Sequence, residues 1–235
     1  MKRYGSILML LARSTVLKLV GLLAGMTAVE IGLVFWQGRN VPGLEQLFEQ
    51  TRMHWVFGAA LIGMALMLGN TLCESGGKLD YTLRRLRVSD RELFLCQSLY
   101  NAACFILLWT VQVLVALLLC RYWMGQQESM SHQAVFLACY RSEFLHSLLP
   151  LEDVTRYVRN LFLFAGLGVC CACHPVRQRR GKQGFALLVA AAAVAFGFPE
   201  EMAESMSDVL WGFVVVVITF VCLVMTWGEE YENED

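Results

Sequence analysis

Cys170, Cys171, Cys173 and His174 form the densest group in the chain able to do chemistry. Thiolates and an imidazole suit zinc or copper. On a helix Cys170, Cys173 and His174 share a face, but no second ligand pair stands at zinc-module spacing. The metal site is therefore incomplete, and the spacing favours small thiols packing between helices. Glu30 lies in an apolar stretch, where an ionised group is costly and by default marks function. It reads as a residue of a translocation path, as a pair across a dimer interface, or as a partly hydrated acid close to Trp36. His54, His132 and His146 are scattered and form no recognisable set. The chain has no G-x-x-x-x-G-K-[ST], no H-E-x-x-H and no G-x-S-x-G. Nothing in it is shaped to cradle a nucleotide or to make a nucleophile, so no catalytic residue and no cofactor of its own are expected.

The elements that must hold these residues are membrane helices. Hydrophobic residues make up 57% of the 235 and charged ones only 17%, where a soluble domain carries about 25% charge. A bilayer core of roughly 30 Å takes about 20 apolar residues, and the chain offers six such runs. These are 15–36, 55–73, 93–123, 157–174, 181–198 and 209–227. The expected fold is all-α and integral to the membrane, one domain over 1–235. Ahead of the first run, residues 1–13 place Tyr4, Ile7, Leu8 and Leu11 on one face after Lys2 and Arg3, the pattern of an interfacial helix. Residues 125–156 are too polar to cross and are expected on the membrane surface. Residues 228–235 are a solvated acidic tail. Most of the nine cysteines fall in runs or on the inner side, so a disulfide framework is not expected.

Charge fixes the orientation. With the N-terminus inside, the inner segments carry four Lys or Arg at the start, five in 74–92 and four in 177–182, which is thirteen of the nineteen. The positive-inside rule then puts both termini in the cytoplasm of a cell that bounds itself with this (plasma) membrane. The basic set Arg177, Arg179, Arg180 and Lys182 also suits anionic lipid headgroups. No basic stripe interleaved with aromatics suggests nucleic acid.

The polar segment Glu74 to Glu92, ESGGKLDYTLRRLRVSDRE, lies between the second and third runs. Leu79, Leu83 and Leu86 recur at i, i+4, i+7, with Asp80, Arg84, Arg85 and Arg87 on the other face, which predicts a short amphipathic helix over 79–87. Gly76 and Gly77 break the helix before it. Ser89-Asp-Arg-Glu92 is a capping box and predicts a restart at Ser89.

This segment resembles the cytoplasmic loop of type-2 ABC exporter permeases. In that family a Glu and a Gly close the second span, a T-L-x-x-L helix follows, and P-V-S-R-R-E leads into the third. Glu74, Gly77, Thr82, Leu83, Leu86, Val88, Ser89, Arg91 and Glu92 match; Arg87 replaces the proline and Asp90 a basic residue. The resemblance implies a permease subunit of an ATP-driven exporter with six transmembrane helices. It implies that 79–87 is a coupling helix, with Leu79, Leu83, Arg84, Leu86 and Arg87 touching a separate ABC-type ATPase that binds ATP and Mg. Glu74, Ser89 and Glu92 would hold that helix as a lever, and a second permease subunit, identical or related, would complete the path. The alternative is a non-transporting membrane scaffold, sensor or immunity protein that docks a cytoplasmic partner by the same loop. Peptide, lipid and small hydrophobic molecules all stay open as substrate.

Overall fold

In hydrocarbon only a helix satisfies every backbone N–H and C=O within its own segment, so uncharged runs of this length become helices. The structure, a computed structural model, describes residues 2–37, 44–71, 90–126, 137, 140–150, 154–179, 186–198 and 205–231. Among them there is no strand. In chain order the helices are α1 (Lys2–Gln37), α2 (Leu44–Gln50), α3 (Met53–Asn70) and α4 (Asp90–Gln126), then α5 (Glu143–Leu148), α6 (Val154–Arg179), α7 (Ala186–Gly197) and α8 (Ser205–Tyr231). Of these, α1, α3, α4, α6 and α8 are long and apolar enough to cross a membrane. The chain is an all-helical, multi-pass membrane protein. The fifth expected run, 181–198, is described as a helix only over Ala186–Gly197, 12 residues or about 18 Å.

Contacts between side chains give each helix a direction. From one end to the other, α1 and α4 run side by side and parallel. Tyr4 bonds Glu92, Thr15 bonds Tyr100, Gln112 bonds Glu30, and the Phe35 ring lies 5.4 Å from that of Tyr122. Next, α6 runs antiparallel to α4, with Asn101 reaching the Gly168 carbonyl at 3.4 Å and Trp109 stacked near Phe164 and Tyr157. Beside it α8 runs parallel to α6, since Arg159 meets Gly212, Gly166 meets Val215 and Thr219, and Cys170 meets Cys222. Finally, α7 runs antiparallel to α3, with Gly58 against Ala195 and Gly69 against Leu187. Of the five long helices α6 is the most enclosed and α8 the least. Phe57, Phe105, Phe164 and Phe198 fill the centre.

Three expectations are redrawn. Residues 1–13 do not form a helix of their own: α1 is continuous over 36 residues, about 54 Å, because nothing in Arg13 to Lys18 breaks a helix. Its first turns pack Ile7 and Leu11 on Leu93, Cys96 and Tyr100 of α4, a protein surface rather than a lipid one. Within 125–156 the structure buries one element against protein. Helix α5 is tucked into the bundle with Phe144, Leu145 and Leu148 buried, since its apolar side chains gain more from the core than from the interface. The Trp109 indole donates to the Leu148 carbonyl at 3.0 Å and holds it there. The third change is in α6, which runs through Pro175 to Arg179 instead of ending near His174; proline costs one backbone bond, and the packing of this central helix offsets it.

Helix α2 also folds inward. Leu47 and Phe48 of α2 are buried, and Thr51 closes that helix by donating to the Leu47 carbonyl at 2.6 Å. Arg52 then turns the chain into α3 in the left-handed region, φ 48°. Two short helices, α2 and α5, thus cap the end of the bundle far from the start of α1.

Candidate functional site in the buried polar groups of the bundle

Helix α1 turns Thr15, Leu19, Met26, Glu30 and Val34 inward along one stripe. Glu30 falls on this stripe and faces α4. There Gln112 Nε2 donates to Glu30 Oε1 at 2.7 Å, and both side chains are 0% exposed. Glu30 is therefore neither at a hydrated edge nor on an open path within one copy of the chain; it is one half of a pair between two parallel helices. Gln112 escaped the sequence reading. Its only signal was a third amide, after Gln97 and Asn101, in the run 93–123.

The cysteines of α6 point to different neighbours. Cys170 Sγ stands 3.9 Å from Cys222 Sγ and 4.0 Å from the Thr219 hydroxyl on α8. Cys171 Sγ donates to the Ala65 carbonyl of α3 at 3.7 Å, and His174 packs over Gly69. Among the described residues no three His, Cys, Asp or Glu side chains are arranged to hold a metal ion. The packing of Cys170, Cys173 and His174 is thus to helices on either side of α6, with Cys222, far away in sequence, as the thiol that Cys170 meets.

A third polar group lies under α5. Asn160 Nδ2 donates to the Ser147 carbonyl at 2.9 Å, while its Oδ1 accepts from Arg159 Nε and Nη2 at 3.3 and 3.2 Å. Ser142, Ser147, His146, Arg156 and Arg159 are all buried here, and Tyr140 meets His146 edge to face. Arg156 and Arg159 sit in the first turns of α6. Beside them a cavity of about 180 Å³ opens between α6 and α8, lined by Thr155, Val158, Arg159, Phe162, Val209, Gly212 and Val216.

The residues expected to touch an ATPase, Leu79, Leu83, Arg84, Leu86 and Arg87, lie outside the described residues, as do Glu74 and Ser89. Glu92 is described. It stands in the first turn of α4, which begins at Asp90, one residue after the expected cap. Its Oε1 accepts from the Tyr4 hydroxyl at 2.9 Å, a tie to the start of α1 that the capping pattern did not foretell. Compared with protein-family models, with curated proteins and with solved structures, the chain gives no match.

Proposed function

We propose that the chain is the membrane-spanning permease subunit of an ATP-driven exporter, crossing the membrane six times with both termini in the cytoplasm. The observation that carries this reading is the segment 74–92, with its resemblance to a type-2 ABC exporter loop, set between α3 and α4. The start of α4 at Asp90 supports it, because a lever needs a helix that begins where the loop ends. The tie of Tyr4 to Glu92 supports it too, since it joins that lever to α1. ATP and Mg would bind in a separate ATPase seated on Leu79, Leu83, Arg84, Leu86 and Arg87, and a second permease subunit would complete the path. Pushing the loop would move α4, and α4 carries α1 with it through the four contacts along their length.

The test is purification of the tagged chain from its native membrane in mild detergent, followed by mass spectrometry of what accompanies it. An ABC-type ATPase should come along, and Leu83→Asp with Leu86→Asp should remove it while the protein still inserts. The chain alone, or with a partner that hydrolyses no ATP, would point instead to the scaffold reading.

A further inference from the structure

Among the described residues Glu30 is the acid that the bundle encloses completely, and its partner is neutral. Gln112 Nε2 gives one hydrogen bond to Oε1, and two atoms of the pair are left without any: Glu30 Oε2 and Gln112 Oε1. With the carboxyl ionised both are acceptors, so neither can serve the other. The buried residues one turn away on the same helices, Met26 and Val34 on α1 and Leu108, Val115 and Ala116 on α4, offer no side-chain donor. A buried carboxylate without a countercharge is among the least favourable groups in a protein interior. One proton changes this. Placed on Oε2 it makes that oxygen a donor, and the amide oxygen of Gln112 is the pair's other unbonded atom, an acceptor. Once those two atoms meet, acid and amide each give one hydrogen bond and take one.

We propose that Glu30 and Gln112 form a proton-binding site inside the membrane bundle, with Glu30 held as a carboxylic acid. The step is a simple transfer: the carboxylate takes a proton from hydronium, releasing water, and the proton leaves by the reverse. The elements packed on α1 are α2, α3 and α4. Their described charged or titratable groups toward the Glu30 end are Glu49, Arg52, His54, Cys120, Arg121 and Tyr122. Cys120 is buried, His54 half-buried and the rest exposed, and none bonds Glu30. Further along α4 lie Tyr100 and Cys104, and on α1 the exposed Lys18 is about 18 Å away along the helix. Among the described residues no cation is therefore placed to do the proton's work. When the proton leaves, the pair loses a hydrogen bond and gains two opposed acceptors, so the contact between α1 and α4 loosens. The site is independent of the permease reading and would stand in a scaffold as well.

Infrared difference spectra of the full chain in lipid, wild type against Glu30→Gln, test this. The wild type should show a carboxylic-acid C=O stretch at neutral pH that E30Q lacks, and raising the pH should convert it to carboxylate bands. Carboxylate bands alone at neutral pH in that difference would overturn the site. Should E30Q fail to fold by circular dichroism and elution volume, Gln112→Leu gives a second reading with Glu30 intact. Its acid C=O band should move to higher frequency, because Oε1 has lost its donor. A band that does not move, or no acid band in either protein, would equally overturn the proposal.

Discussion

At Gly168 the backbone of α6 lies so close to α4 that a Cβ would stand 2.7 Å from the Ala102 nitrogen and 2.9 Å from its Cα. No side-chain rotation can relieve a clash with backbone, so the helices themselves must part. Gly25 on the outer face of α1 is the opposite case, with nothing inside 4 Å of an added Cβ. We expect Gly168→Ala to destabilise the bundle by about 1–3 kcal/mol, the usual effect of overpacking. Gly25→Ala should leave stability unchanged or raise it by up to ~1 kcal/mol through helix propensity. Thermal unfolding in detergent, run on both variants together, checks the pair of expectations. Asn160 belongs to the same scale. It bridges α6 to the Ser147 carbonyl of α5 and accepts from Arg159, so Asn160→Leu takes the side-chain donor from a buried carbonyl and one acceptor from a buried guanidinium. A loss of about 2–4 kcal/mol follows from one unmet backbone acceptor and one weakened charged donor, read from the same melts.

Between helices the informative quantity is direction, and the thiols report it. Cys170 on α6 lies 3.9 Å from Cys222 on α8 only because those helices run parallel in this register. A membrane-permeant oxidant such as iodine, which takes two electrons and releases two protons as the sulfurs join, should link Cys170 to Cys222 in folded protein. Mass spectrometry of the cleaved chain identifies the linked peptides. A link from Cys170 to any cysteine other than Cys222 would contradict the packing of α6 on α8. This pair also shows what the sequence could and could not convey. The runs that became α1, α3, α4, α6 and α8 were legible, because apolar length and the lack of charge are local properties. The inward fold of α5 was not, since Phe144, Leu145 and Leu148 look the same whether they meet lipid or protein. Cys170 and Glu30 were conspicuous as residues, yet Cys222 and Gln112, 52 and 82 positions away, are chosen by helix packing, which leaves no mark at fixed spacing.

The courses of α6 and α8 bear on the path of the chain. Both are long and apolar enough to cross the membrane, and they run in the same direction. In the six-span layout we propose, the chain leaving α6 returns across the bilayer before α8 begins, and α7 is the element available for it. Twelve helical residues cover about 18 Å, short of a core of roughly 30 Å. Packing covers α7, which lies on α3, α6 and α8 with Leu187, Ala190, Ala191 and Val194 buried. Five crossings would leave the termini on opposite sides, and six put them on the same side. Tags fused at both ends, probed by protease in sealed inside-out vesicles, should be cut together. Cutting of one tag with protection of the other would mean that α7 dips and turns back, and the parallel packing of α6 and α8 would then have to be wrong.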